Sequence, residues 1–450
     1  MATIDEIRAA AQNIDEQAKI ILALTEQGVP GPVISEWIRP EPKPREDWMV
    51  RDINPAKEIY VAPDGNDNNI GNMANPLLTI DAAFDALKAS GNNTALRFKR
   101  GGTYAASERV YVGSRGYAAS LDNPILVGTY GEGERPVLNM TKGLTFEGGE
   151  VNPVEGWYFK DLDHRLGGFT VWDDCRYILW QNVLSRDQSL PYNISIGRMD
   201  DGFLNHHFAI LDSEQTNNSN TGISSGASDI FIDNNDASRN GNGNGGRNYY
   251  LGGNLGLTKN IVLQNSRSTF NCPRPDGTGG GNSPHYTTHG WADGVFLVNN
   301  HFEEVEGTSW GGNWGLCVDE GRSPDWGSEK FTNVTMTGNT IKYCGNQNLS
   351  ISNAENPLVG WNEIYIDSKN KGFGICAPGK PVAAPDFVQT NGRFVFNKIH
   401  VPAGATGINL NIPDAQLEYN EIIKLDPTAK GIVVNGTELQ GDALGTNKYS

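Results

Sequence analysis

Cysteine is scarce and irregular: Cys175, Cys272, Cys317, Cys344 and Cys376 make an odd total of five with no CxxC pair. That excludes a disulfide framework and gives no zinc-module spacing, so reduced core thiols are expected. Basic residues are also under-represented. The 36 Lys and Arg against 53 Asp and Glu leave a formal charge of −17, which works against nucleic-acid phosphates and anionic membranes as partners. No apolar run approaches the length of a membrane span, so membrane insertion is not expected. The first residues, Met1 to Glu6, lack a basic stretch followed by an apolar one, and cytosolic synthesis without a signal peptide is the expectation. The glycines at 241–246 and 279–281 are not followed by a helical pattern, so no phosphate-cradling loop is read. Asp64-Gly65-Asn66-Asp67-Asn68-Asn69 has the oxygen donors of a calcium loop but not its terminal Glu or spacing, and a plain turn is expected. No cofactor and no metal site is read.

Turns, by contrast, are abundant. The 54 Gly and 23 Pro separate short segments rich in Ile, Val and Phe, which is a β-rich pattern. Within it a motif with an apolar residue three positions before Asn recurs, and eight copies set a rhythm along the chain. Seven copies also have an apolar residue two positions after the Asn: Leu179/Asn182/Leu184, Ile232/Asn235/Ala237, Leu297/Asn300/Phe302, Met336/Asn339/Ile341, Val359/Asn362/Ile364, Phe394/Asn397/Ile399 and Leu417/Asn420/Ile422. Val262/Asn265/Arg267 is a defective copy. Successive Asn residues lie 53, 30, 35, 39, 23, 35 and 23 apart, so a basic period of one short rung plus loops of variable length implies a solenoid. The apolar positions should point into the bore, with Asn at the corner between them. Asn tolerates a left-handed turn, and stacked amides can bond rung to rung. A second strand per rung is visible at 222–225, 315–318, 349–352, 407–410 and 431–434. A β-propeller would need more even blades with signatures of their own, and these are absent.

The N-terminal region differs. Residues 3 to 27 read as a helix, with Thr3 and Glu6 as a capping box and Gly28 and Pro30 as the stop. Ile4, Ile7, Ala11, Ile14, Ala18, Ile21 and Thr25 form a heptad seam, which favours a parallel trimer. Residues 30–56, with six prolines at 30, 32, 40, 42, 44 and 55, read as an extended linker. Ile59 to Gly65, a short helix over 79–89 and Leu96 to Tyr104 then form a cap over the first rung.

These last segments, together with Pro124 to Gly133 and the Asn repeats, resemble the pectate-lyase-like right-handed parallel β-helix superfamily over about residues 57 to 436. The fold implied is all-β, a right-handed single-stranded parallel β-helix with a short N-terminal coiled-coil helix, and residues 437–450 form a short tail. That superfamily holds lyases, hydrolases, esterases and binders alike. Glu36 to Pro40 and Asp47-Trp48 are similar to connecting segments of bacteriophage tail proteins, so the chain also resembles a phage tailspike or tail fibre. That resemblance implies a homotrimer on the virion, released by host lysis, attached to a tail or baseplate protein through its N-terminus. The partner implied is a capsule or lipopolysaccharide O-antigen.

Candidate chemistry concentrates where the Asn rhythm fails. The loops between Asn265 and Asn339 carry Arg274, His285, Tyr286, His289, Trp291, Trp310, Trp314 and Trp326; aromatic faces stack on pyranose rings. Asp293, Glu303, Glu304, Asp319 and Glu320 cluster there, with Glu306, and a pair of carboxylates is what glycoside hydrolysis needs. Hydrolysis is the leading expectation. Each carboxylate taken singly fits an ordinary solvated position equally well. Asp200, Asp201, Asp212 and Glu214 with His206 and His207 form a reserve group, followed by Asp229, Asp233 and Asp236. β-Elimination on a uronate polymer would instead want a cation beside a base, such as Arg247 with Tyr249, or Arg274 with His285 and Tyr286. A non-catalytic binding fibre is the third reading.

Overall fold

The computed structural model describes residues 38–49, 53–91, 93–106, 108–113, 117, 119–149, 152–188, 192–197, 205–241, 246–252, 257–271, 283–308, 312, 314–318, 329–378, 391–412 and 414–450. The expected N-terminal helix with its heptad seam lies outside them, as do residues 30–37 and 50–52 of the expected Pro-rich linker. The chain divides into two compact units, Met1–Pro42 and Lys43–Ser450, and the second carries every described strand.

Each rung contributes three short strands to three sheets, two of 13 strands and one of 14, whose strand order follows the chain three elements at a time. Such an order is that of a right-handed parallel β-helix. One rung shows the plan: Cys175–Gln181 in the first sheet, a corner at Asn182, Leu184–Arg186 in the second sheet, then Tyr192–Ile196 in the third. The strands are short because a rung turns three times, and only alternate residues can enter the bore. Registered pairing stacks Phe159, Trp180, Ile210, Ile232, Leu263, Leu297, Met336, Val359, Phe394 and Leu417 into one inward column of the first sheet. Full burial of such side chains contributes about 1.5–3 kcal/mol each. Cys175, Cys317, Cys344 and Cys376 are buried free thiols, and burial pushes Cys175 up to about 12; Cys272 is not among the described residues.

The corner after each first-sheet strand explains the repeat. One residue takes a left-handed φ, as at Asp161 (62°), Asn182 (56°), Asp212 (50°), Asn234 (51°), Asn265 (49°), Asn299 (58°), Trp361 (54°), Phe396 (55°) and Tyr419 (57°). The next residue points inward, and from Asn300 onward it is always Asn. Asn339 is typical: its Nδ2 donates to Leu297 O and to Asn362 Oδ1, both at 3.0 Å, and its N–H donates to the same Oδ1 at 3.0 Å. The bonding repeats through Asn362, Asn397, Asn420 and Asn447. Asn182 and Asn265 are therefore one residue out of step with this ladder. They occupy the left-handed position, their inward neighbours are Val183 and Ser266, and Leu179 and Val262 belong to an outer apolar stripe. A side-chain period of two flips the face when register moves by one.

Both ends are closed. Helix Ile80–Ser90, capped by Thr79, buries Ile80, Ala83, Phe84 and Leu87 against the first rung. In the expected turn, Asp67 accepts from Leu78 N, Thr79 N and Thr79 Oγ1, fixing the helix entry. Residues 437–450, read as a tail, instead complete the coil. Thr437–Glu438 folds back antiparallel on Lys430–Val434, Lys448–Tyr449 adds the last second-sheet strand, and Asn447 ends the amide ladder.

Part of the expected linker is likewise no free spacer. Residues 43–48 form a strap across the outer stripe of the first sheet. Trp48 stacks on Phe231 with centroids 5.2 Å apart, Arg45 pairs with Asp212 at 2.6 Å and with Asp233 at 3.5 Å, and the Lys43 N–H donates to Gln264 Oε1 at 2.8 Å. The outer stripe of Tyr158, Leu179, Phe231 and Val262 would otherwise face water.

Candidate functional site

The outer face of the third sheet, across the strands Thr221–Ser225, Tyr249–Leu251, Tyr286–Thr288 and Leu316–Val318, carries a cation, a phenol and an imidazole together. Alternation selects them. Tyr249 and Leu251 enter the core, so Tyr250 is the outward member of its strand. Arg247 lays its guanidinium 4.7 Å from the Tyr250 ring centroid, and its Nε donates to Thr287 Oγ1 at 3.2 Å. The Tyr250 ring meets His289 edge-on at 5.9 Å, and His289 Nδ1 lies 3.4 Å from Glu329 Oε2. Of the two loops that the sequence singles out, Asn271 to Asp293 and Glu303 to Lys330, residues 272–282, 309–311, 313 and 319–328 lie outside the described residues. Arg274, Asp319, Glu320, Trp310 and Trp326 are among the undescribed positions, as are Asp200 and Asp201.

Several expected site residues are interior instead. Tyr249 is fully buried and donates to Asn235 Oδ1 at 2.9 Å, and burial raises its phenol well above the ordinary value. His285 is also fully buried, with Nδ1 2.8 Å from Ser268 Oγ and Nε2 2.8 Å from Glu304 Oε1. Glu304 in turn accepts from Asn271 N at 2.7 Å. This is a corner strut, out of a substrate's reach. Tyr286 is buried with its hydroxyl against Thr288. Sequence proximity had grouped them with outward neighbours because a one-residue step in a strand changes sides.

The expected carboxylate cluster is dispersed. Asp293, on a first-sheet strand, accepts from Thr332 Oγ1 and Asn333 Nδ2, both at 2.7 Å, and these bonds hold it below the usual carboxylate range. Glu303 lies on the second sheet; burial pushes it up, but the His301 contact at 2.7 Å together with the charges of Lys342 and Arg267 leaves it lowered. Glu304 is inside. Among the described residues Asp293, Glu303 and Glu304 thus sit on three different faces of the coil and form no acid/base pair. Trp291 is 51% exposed at the start of its first-sheet strand. Trp314 is half-buried, and its carbonyl accepts from His285 N at 2.8 Å.

The reserve group does not converge as a unit either. Asp212 is taken by Arg45 and Asn234, while Glu214 stands on the second sheet directly opposite Asp236 of the next rung. Neighbouring strands are ~4.8 Å apart, and both carboxyls are raised, Glu214 by burial and then by Asp236, Asp236 by burial against the opposing pull of Arg267 and His301. His206, His207 and Asp229 do gather on the first sheet, with ligand atoms all within 4.8 Å of one another, so these residues are placed to hold a metal ion.

The fold defines the class: a right-handed parallel β-helix. No family model matches the chain. Pectate lyase PEL9 of Emericella nidulans is 27% identical over 141 residues, which is 28% of this chain and 32% of that protein, so the match spans about a third of the relative's length. Solved structures similar to this chain include the Dettilon tailspike protein, at 10% identity and TM-score 0.49 over 86% of this chain and 70% of that one. The catalytic domain of an α-1,3-glucanase is 12% identical with TM-score 0.46, covering 89% and 69%. A lacto-N-biosidase from Eubacterium ramulus is 10% identical with TM-score 0.45, covering 88% and 67%.

Proposed function

We propose that this chain binds and depolymerises a surface polysaccharide of bacteria, with scission on the outer face of the third sheet. The observation that carries the reading is Arg247, held 4.7 Å from the half-buried Tyr250 ring, which itself meets the largely buried His289 edge-on at 5.9 Å. That set favours β-elimination on a uronate-containing polymer. Arg247 pairs the uronate carboxylate and so acidifies the α-proton; His289 or Tyr250 takes that proton as the carbon–hydrogen bond breaks. The electron pair forms the new double bond, the glycosidic carbon–oxygen bond breaks, and the leaving oxygen is protonated by the other of the two or by water. With a net charge of −17 the chain gives an acidic polymer no long-range steering, so this local cation matters the more. The pectate lyase relative agrees with the chemistry.

A second reading is hydrolysis by Glu214 and Asp236, favoured by their registered pairing and raised carboxyls. The spacing of adjacent strands is close to the ~5–5.5 Å of retaining enzymes. Incubation with capsule and O-antigen preparations separates the readings. Unsaturated, ultraviolet-absorbing ends that vanish in Arg247→Ala support elimination. Saturated ends lost in Glu214→Gln support hydrolysis, and full-length chains that bind without cleavage refute both. The setting proposed is a trimeric virion spike attached through residues 1–29, which light scattering on the intact protein checks.

A further inference from the structure

Across the first sheet a column of residues with positive φ recurs at Gly156, Tyr177, His207, Asp229, Asn260, Gly294 and Asn333. The pairing register skips each of them: His206 pairs with Ser228 and Phe208 with Ile230, leaving His207 and Asp229 out of the ladder. Each skipped residue is matched by one in the neighbouring strand, so these are left-handed kinks stacked in register, and such a kink re-aims the side chain that it carries. Consecutive strand residues ordinarily face opposite sides. Here the kink turns His207 to the side already occupied by His206, and the two Nδ1 atoms face each other at 2.5 Å.

We propose that His206, His207 and Asp229 form a site for a divalent transition metal of the zinc type. His207 Nδ1 lies 3.6 Å from Asp229 Oδ2. Ligands of a tetrahedral zinc ion 2.0–2.1 Å from the metal stand about 3.3 Å apart, so the histidine–aspartate edge is close to the required spacing. The histidine pair has to open by under about 1 Å, a small rotation of half-buried rings. Asn260 Nδ2 donates to the other carboxylate oxygen, Asp229 Oδ1, at 2.7 Å. An outer partner that fixes a ligating carboxylate is the usual companion of such sites. Two imidazoles and one carboxylate suit zinc better than calcium or magnesium, and three protein ligands leave a position for water.

The placement has a structural consequence. His207 forms one wall of a cleft of about 390 Å³ shared with Trp48, Tyr158, Tyr177 and Leu179, and the Trp48 ring lies 5.8 Å from the His207 ring. A bound ion therefore ties the strand His206–Leu211 to Ser228–Asp233 and braces the residue on which the strap rests.

The test is titration of the intact chain, freed of metal by chelator, with zinc by calorimetry and with cobalt by visible absorption. The expected result is one saturable ion per chain, the intense cobalt spectrum of four-coordination, and slower trypsin cleavage after Arg45 when zinc is present. His207→Ala and Asp229→Asn should each weaken binding at least tenfold, and Asn260→Ala by roughly 10-fold or more. Circular dichroism without metal confirms that each variant is folded. No saturable binding, only the weak cobalt bands of six-coordination, or equal zinc affinity in wild type and both ligand variants overturns the proposal. The wild-type cobalt spectrum decides even where a variant misfolds.

Discussion

Replacing Asn362 by Ala removes four hydrogen bonds from a site with no solvent to replace them. The Asn362 side chain donates to Met336 O at 3.0 Å and Asn397 Oδ1 at 2.9 Å, and accepts from Asn339 N and Asn339 Nδ2, both at 3.0 Å. Two of the stranded groups keep another partner: Asn397 Oδ1 still accepts from residue 362 N, and Asn339 Nδ2 still donates to Leu297 O. Asn339 N–H and Met336 C=O lose these bonds outright, and a buried orphaned group costs about 1–3 kcal/mol. The expected loss is therefore roughly 3–4 kcal/mol. Asn182 carries the same sequence motif but sits in the left-handed outer position at φ 56°, where Asn182→Gly keeps the backbone comfortable and gives up only half-buried side-chain bonds, from Arg135 and to Asp161, so it should cost about 1 kcal/mol, well below the loss at Asn362. Guanidinium unfolding followed by tryptophan fluorescence measures both. Equal losses for the two variants, or a loss below about 1 kcal/mol for Asn362→Ala, would refute the assignment of the inward ladder.

Three further outcomes rest on the same geometry. His164 is fully buried, and burial lowers its pKa from 6.5 to about 3; below pH 6.5 the unfolded chain binds a proton that the native one refuses, so stability should fall by about 2 kcal/mol between pH 6.5 and 5. His164→Gln should flatten that limb of a stability–pH curve, and an unchanged slope would count against it. Trp48→Ala removes the stack on Phe231 and should speed trypsin cleavage after Arg45 several-fold while leaving the global unfolding midpoint in place, since local release costs less than global unfolding. Deleting residues 1–29 should convert a trimer into smaller species in light scattering if the heptad seam assembles the chain.

The Asn repeats determined the solenoid, because a rung too small to bury its own core must stack and a buried corner amide must bond to its neighbours. Short apolar segments, the capping helix and the reduced core thiols were legible for the same local reasons. Register was not. Arg267 marked the Asn265 copy as defective, but nothing in the motif itself distinguishes Asn182 from the inward Asn residues, nor Tyr249 from Tyr250, because a single-residue slip reverses every face of a strand and only pairing with adjacent rungs fixes it. The carboxylates of the Asn265–Asn339 interval are neighbours in sequence, yet three turns per rung send Asp293, Glu303 and Glu304 to different faces. Conversely, Arg247 and Glu329 lie far apart in sequence and meet His289 and its neighbours only because whole rungs stack. The histidine–aspartate group needed more still: the His206-His207 pair is visible in the chain, but the left-handed kink that brings both rings to Asp229 exists only in the folded sheet.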